Sequence, residues 1–342
     1  MNADVRDARG RPLRDLRLSV TDRCDLRCSY CMPEREYTWL PRADILTFEE
    51  CEIVVAAFAG AGVRNVRVTG GEPLLRRDLP AVLARIANVD GIEEVSLTTN
   101  GTRLAQHAAA LRSAGLARVT VSLDTLRPER HARITSRDNH ATVLAGIGAV
   151  SGAGFTGTKI NTVVMRGVND DELVDLLDFA STIDAEVRFV EYMDVGGATN
   201  WNAGTVVSAA EIRSRIGDVL GEPMAIGSRA SAPAVRYQLP DGRVFGIIAS
   251  TTTPFCAACD RSRVTADGVW YRCLYAVDGT DLRTPLRAGA TVEELTALIA
   301  DVWSQRADQG AVDRLGAPAR EASVPVTLLR RDPHLEMHTR GG

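Results

Sequence analysis

Six of the seven cysteines in this 342-residue chain fall into two compact sets. Cys24, Cys28 and Cys31 form a C-x3-C-x2-C run, and Cys256, Cys259 and Cys273 form a C-x2-C-x13-C set. Thiolates are soft ligands, and three of them together suit an iron–sulfur cluster that keeps one iron free of a protein donor. Zinc is the alternative for the first set, but it takes four ligands, and the nearest histidine is His107. For the second set the spacing leaves zinc and a second cluster equally open. A thioredoxin-like pair at Cys256 and Cys259 lacks an upstream βαβ unit, and Cys273 makes the pair a trio. The odd total and tight clustering fit a reducing, cytoplasmic setting better than a disulfide framework. Cys51 stands apart in a helical pattern and reads as a core residue.

The bulk composition bounds the rest. The chain is 45% hydrophobic with a formal net charge of −4. Those values fit a folded protein and argue against a generic nucleic-acid binder, while allowing a local basic pocket. No run of about 18 apolar residues predicts a membrane span. The polar stretch 1–14 lacks the apolar segment of a secretory signal.

The elements that must position the cysteines alternate along residues 1–195. Strands are expected at Leu16–Val20, Asn65–Thr69, Glu94–Thr98, Arg118–Leu123, Thr158–Val164 and Glu186–Glu191. Helices are expected near Phe48–Gly60, Leu79–Asn88, Arg103–Ala114, Ala141–Gly152 and Asp171–Ser181. Thr47 with Glu50 reads as a capping box. Six strands with five helices between them predict a parallel α/β array, either an open sheet or a curved partial barrel. In either, ligands meet the C-terminal ends of the strands. Four chemistry-bearing segments lie there: Thr69–Pro73, Thr98–Gly101, Ser122–Asp124 and Glu191–Met193. After Val195 the pattern changes to a loop, a helix over Ser208–Ile216, a hairpin of Val235–Leu239 with Val244–Ile248, and a helix over Thr291–Val302. The tail from Arg306 reads as polar and irregular.

Cys24-Asp25-Leu26-Arg27-Cys28-Ser29-Tyr30-Cys31 resembles the signature of radical S-adenosylmethionine enzymes. Gly70-Gly71-Glu72-Pro73 is similar to that family's second motif. The two glycines would let backbone approach a ligand, and Glu72 or nearby carbonyl groups would meet a methionine ammonium. The resemblance implies a [4Fe–4S] cluster on Cys24, Cys28 and Cys31 whose open iron binds S-adenosylmethionine. It implies Tyr30 beside adenine, and Asn100, Ser122, Asp124 and Met193 around the cofactor. Local strand-end hydrogen bonding is the plain alternative for Asn100, Ser122 and Asp124.

A narrower resemblance covers nearly the whole chain. Phe255-Cys256-Ala257-Ala258-Cys259-Asp260-Arg261-Ser262-Arg263, Arg188-Phe189-Val190-Glu191-Tyr192-Met193 and the terminal Gly341-Gly342 are similar to the GTP 3′,8-cyclase family of molybdenum cofactor biosynthesis. The implied fold is α/β: an incomplete (β/α)6 triosephosphate-isomerase-type barrel with a C-terminal segment closing the open side. Residues 1–195 would form the barrel, and residues 196–342 the second-cluster and substrate-binding region. A second [4Fe–4S] cluster on Cys256, Cys259 and Cys273 would hold substrate. The implied reaction is a radical, carbon–carbon bond-forming lyase step. It converts GTP to (8S)-3′,8-cyclo-7,8-dihydroguanosine 5′-triphosphate by hydrogen abstraction from C3′ and closure on C8.

Positive charge amid apolar strand residues faces a polar cavity or a paired charge. Arg17, Lys159, Arg188, Arg261 and Arg263 are therefore the triphosphate candidates, set against internal ion pairing. The resemblance adds Arg67 and Thr98 to the substrate set. It gives catalytic roles to Arg17, Arg261, Arg263 and a tail finger of Gly341 and Gly342. The five histidines show no mutual spacing, and surface or helix roles are expected for them. The implied partners are a flavodoxin or ferredoxin-type electron donor and cyclic pyranopterin monophosphate synthase, with no membrane or nucleic acid and a homodimer left open. Two other readings stay in view: a peptide-modifying radical enzyme, and a non-catalytic metal protein that binds nucleotides or protein partners.

Overall fold

The computed structural model describes residues 5–227, 231–316 and 324–341. Strands β1 (Asp15–Ser19), β2 (Asn65–Thr69), β3 (Glu94–Thr99), β4 (Arg118–Ser122), β5 (Thr158–Val164) and β6 (Ala185–Glu191) pair in parallel, each with the next. Helices α1 (Phe48–Gly60), α2 (Leu79–Ala87), α3 (Leu104–Ser113), α4 (Pro128–Thr135), α5 (His140–Gly152) and α6 (Leu173–Ser181) pack outside them. The expected strands and helices stand within one or two residues of these limits. The Thr47 capping box is present at α1, with Glu50 reaching back to the Thr47 amide.

Each strand follows a period of two. Leu16 and Leu18, Val66 and Val68, Val95 and Leu97, and Val119 and Val121 are buried against the helices. The residues between them are Asp15, Arg17, Asn65, Arg67, Ser96, Thr98, Arg118 and Thr120, and all face one central cavity. The lumen is therefore polar, unlike the layered apolar interior of a closed barrel.

The chain beyond β6 contributes α7 (Ala209–Leu220), then β7 (Met224–Ile226), β8 (Val235–Gln238) and β9 (Val244–Ile248). The expected hairpin is β8 with β9. Next come β10 (Arg261–Val264), β11 (Val269–Tyr271), β12 (Thr280–Asp281), α8 (Arg283–Arg287) and α9 (Val292–Ser304). Strand β9 adds in parallel to β6, and β10 adds in parallel to β1. The C-terminal segment thus extends both edges of the partial barrel, and the link between β9 and β10 carries Cys256 and Cys259. The sheet is open and curved, parallel from β10 through β1–β6 to β9 and antiparallel at its two margins, and of the two expected alternatives it is the partial barrel.

The tail corrects one expectation. It forms short helices, α10 (Gly310–Leu315), α11 (Val326–Leu329) and α12 (Met337–Arg340), and residues 338–341 are buried. Their burial is set by partners distant in sequence, which a local reading of polarity misses. No helix among the described residues is long and apolar enough to cross a membrane.

Candidate active site

Both cysteine trios line a single cavity of about 590 Å³ at the C-terminal ends of the strands. The first trio lies on the loop after β1. That loop is held by α4, whose Ile134 and Thr135 carbonyls accept from the Ser29 and Arg27 amides, both at 2.8 Å. Helix α4 was not expected from the sequence, because Pro128–Thr135 is mostly polar. Its proline at the first turn is the signal that could have found it.

Glycines 70 and 71 line the cavity, but their need for glycine has another origin. A Cβ on Gly70 would collide with the Thr21 carbonyl, and one on Gly71 with the Arg23 and Asp22 carbonyls. The strand end packs backbone to backbone on the chain entering the cysteine loop. Glu72 is fully buried and is not among the residues that line the cavity. Its carboxylate accepts from the Leu74 amide at 2.9 Å, the Thr99 hydroxyl at 2.7 Å and the Asn100 amide at 2.7 Å. Burial pushes it up to about 7 against those hydrogen bonds. It clamps the end of β2 to the end of β3, and so acts through Asn100.

Asn100 donates to Asp25 at 2.8 Å, and its amide nitrogen stands 4.0 Å from the Cys24 sulfur. The Tyr30 hydroxyl donates to Asp124 at 2.8 Å, linking the cysteine loop to the end of β4. Burial pushes the Asp124 carboxyl up to about 6. Tyr30, Ser122, Asp124 and Met193 all line the cavity.

The second trio is held from several sides. Arg11 donates to the Cys256 carbonyl and Arg306 to the Cys259 carbonyl, each at 2.9 Å. Burial opposes the Cys259 thiolate, but Arg261 and Arg306 outweigh it and hold the thiol at about 7. In the first trio burial dominates, and Cys24 is pushed up to about 12. Two carboxylates missed as structural parts organise this half. Glu191 accepts from the Ala209, Thr251 and Thr252 amides at 2.7–2.8 Å. Asp194 accepts from the Tyr275 hydroxyl at 2.9 Å and from Arg314 at 2.8 Å. Among the described residues, no three His, Cys, Asp or Glu side chains converge as one bound metal ion requires. All six cysteines of the two trios line the cavity.

The cations expected for phosphate come together. Arg17, Arg67, Lys159, Arg188, Arg261 and Arg263 line the cavity. Arg17 pairs in register with Arg67 on one side and Arg263 on the other. Burial first, and then Arg263, Arg67 and Arg261, hold Arg17 well below its usual value. Burial and Arg188 lower Arg67 to about 10. Burial, Arg188 and Arg118 lower Lys159 to about 8. Burial together with mutual repulsion makes these cations an arrangement that a bound anion would relieve. Arg67 also donates to Thr98 at 3.3 Å and Thr120 at 3.1 Å, which aims its guanidinium across the lumen. Arg118, at the start of β4, joins this set and was not singled out from the sequence.

The tail reaches the same place. Arg263 donates to the Gly341 carbonyl at 2.6 Å, and a Cβ on Gly341 would collide with the Thr69 hydroxyl. Gly342 lies outside the described residues. Arg340 stacks 4.0 Å over Tyr271 and donates to the carbonyls of Leu274 at 2.8 Å and His334 at 2.6 Å. Of the surface or helix roles expected for the histidines, the helix role holds for His131, His140 and His338, which lie in helices and are buried. His131 and His140 are buried beside each other, His334 bridges Asp267 and Asp332, and His338 is buried edge-on to Tyr37 and Trp39.

A partial parallel barrel with a thiol trio on the loop after β1 defines the radical S-adenosylmethionine class. The Radical SAM superfamily model matches residues 18–180, and the Molybdenum Cofactor Synthesis C model matches residues 185–312. The chain belongs to the GTP 3′,8-cyclases. It is 54% identical over 342 residues to GTP 3′,8-cyclase 3 of Mycobacterium bovis, covering 99% of this chain and 90% of that protein. It is 53% identical over 342 residues to GTP 3′,8-cyclase 1 of Mycobacterium tuberculosis, covering 99% and 95%. Among solved structures it resembles SuiB of Streptococcus suis, with a TM-score of 0.58 and 17% identity over 87% of this chain and 67% of that one. The S-adenosylmethionine-bound form of that protein gives a TM-score of 0.56 at 15% identity, over 90% and 71%. At these identities the likeness is one of fold.

Proposed function

We propose that this cavity cyclises GTP to (8S)-3′,8-cyclo-7,8-dihydroguanosine 5′-triphosphate, the first step of molybdenum cofactor biosynthesis. One observation carries the reading: two thiol trios and a ring of repelling cations share one chamber. Cys24, Cys28 and Cys31 would hold one [4Fe–4S] cluster, and Cys256, Cys259 and Cys273 the other. When bound, the first cluster with S-adenosylmethionine supplies the one-electron chemistry for hydrogen abstraction.

The chain's own residues position the reactants. Gly70, Gly71, Tyr30, Asn100, Ser122, Asp124 and Met193 form the cofactor side. Asp124 fixes the Tyr30 hydroxyl, and Glu72 fixes the strand end that presents Asn100. On the substrate side, Arg17, Arg67, Lys159, Arg188, Arg261 and Arg263 supply forked and point charges for a triphosphate, and Thr98 orients Arg67. Anchoring the phosphates fixes the ribose relative to the cofactor, which is the entropic part of the catalysis. Arg263 also holds the Gly341 carbonyl, so the tail closes over the site beside the substrate arginines. We assign residues 1–195 to the barrel and residues 196–342 to the second-trio region. An electron donor of flavodoxin or ferredoxin type and a downstream pyranopterin synthase complete the expected setting.

The test is anaerobic turnover of reconstituted protein with dithionite, S-adenosylmethionine and GTP deuterated at C3′. Deuterium in 5′-deoxyadenosine, with a cyclised nucleotide, is the expected result. Cleavage of S-adenosylmethionine without deuterium transfer or cyclised product would overturn GTP as the substrate.

A further inference from the structure

Barrels of this type ordinarily plug their interior with branched apolar side chains. Here Asp15, Asn65, Glu94 and Arg118, the first residues of β1 to β4, line the same cavity as the cysteines at the far end. The space therefore runs the length of the barrel. At the N-terminal ends of β5 and β6 lies a second space, a groove of about 750 Å³. Arg118, Lys159 and Arg188 line both. Arg118 is tied to Glu94 and Arg188 to Glu186. The Lys159 side chain makes no hydrogen bond or ion pair among the described residues. These three cations stand where the chamber and the groove adjoin. Arg236 and Arg243 also line the groove, Arg236 paired with Glu186 and Arg243 with Asp178 and Asp241. The three cations thus offer a phosphate chain a path from the chamber toward the groove.

We propose that the enzyme accepts guanosine nucleotides extended at the terminal phosphate, the added group leaving the barrel through the groove at its N-terminal mouth. This rests on the reading of the chamber as the GTP site. The arginines of the groove are each paired with a carboxylate, so the groove gives an anionic extension no advantage over a neutral one. A substrate site closed behind the terminal phosphate would exclude both.

Reconstituted holoenzyme is assayed with GTP, guanosine 5′-tetraphosphate and GTP esterified at its γ-phosphate with a hexyl group. The readout is cyclised nucleotide by mass spectrometry. Both extended nucleotides are expected to keep kcat/KM within about tenfold of GTP. Ser181→Trp places a bulky side chain on the exposed rim of the groove, where the native hydroxyl bonds only its own helix at Asp178. It is expected to lower use of the hexyl ester relative to GTP by about tenfold, with GTP itself unchanged. Turnover of GTP with exclusion of both extended nucleotides overturns the proposal and leaves the GTP reading intact. A ratio of hexyl ester to GTP unmoved by Ser181→Trp overturns the route through this groove. Failure with GTP itself overturns the proposed function and this extension with it.

Discussion

Lys159 is the cation of the site whose charge is most easily lost. Burial and its neighbours Arg188 and Arg118 lower it to about 8. Below that pH the ammonium is charged and attracts the triphosphate. Above it the folded enzyme loses the charge, so binding a polyanion requires proton uptake at Lys159. KM for GTP is therefore expected to rise as pH passes through about 8, and Lys159→Arg is expected to flatten that rise, read from KM profiles between neutral and alkaline pH. Glu72 gives a second prediction. Three donors converge on its carboxylate, so Glu72→Gln turns an amide NH2 toward one of them. The near-isosteric change is expected to cost about 1–3 kcal/mol in urea unfolding. An unchanged unfolding midpoint would mean that the ends of β2 and β3 are held by something other than this clamp.

Among the elements, β10 and α12 carry the coupling between substrate site and tail. Arg340 grips Tyr271 and Leu274, which flank Cys273, and the next residue is held by Arg263 of β10. Arg340→Met preserves much of the side-chain volume but leaves the Leu274 and His334 carbonyls without their donor. Hydrogen exchange at the amides of residues 338–341 is expected to quicken by about tenfold, and more 5′-deoxyadenosine to be released per cyclised product. Unchanged protection would place the anchor of the tail elsewhere. The elements themselves differ in how legible they are from sequence. Residues Asp15–Ser19 and Asn65–Thr69 alternate so regularly that the strands, their outward faces and their inward cations can be read directly. The capping box at Thr47 fixes the start of α1. Arg340 and His338 are polar residues whose burial depends on Tyr271, Tyr37 and Trp39, far away in sequence. Glu72 could not be told from a ligand-facing acid, because its partners Thr99 and Asn100 lie on the next strand. The glycines at 70 and 71 were legible as a close approach, though not as an approach to backbone at Thr21 and Arg23.

At the scale of the whole molecule, the two halves share one sheet. Strand β10 covers the free edge of β1, and β9 covers the free edge of β6. Trp270 and Trp303 from the C-terminal half are buried in the same core as Phe58 of α1, with Trp270 edge-on to Phe58 at 5.3 Å. Thr296 of α9 donates to the Ala57 carbonyl of α1 at 3.1 Å. A fragment of residues 1–195 would uncover two parallel strand edges and the apolar face that these tryptophans fill. Open edges beside exposed apolar surface drive association between chains. The fragment is therefore expected to aggregate or to bind a hydrophobic dye, while the full chain unfolds in a single cooperative transition. Calorimetry of the full chain and light scattering of the fragment check the two halves of this prediction. A monomeric fragment that unfolds cooperatively on its own would mean that the barrel forms first and the second-trio region docks afterwards. The present packing argues the reverse dependence, in which the loop carrying Cys256 and Cys259 is set in place by the same strand pairing that completes the barrel edges.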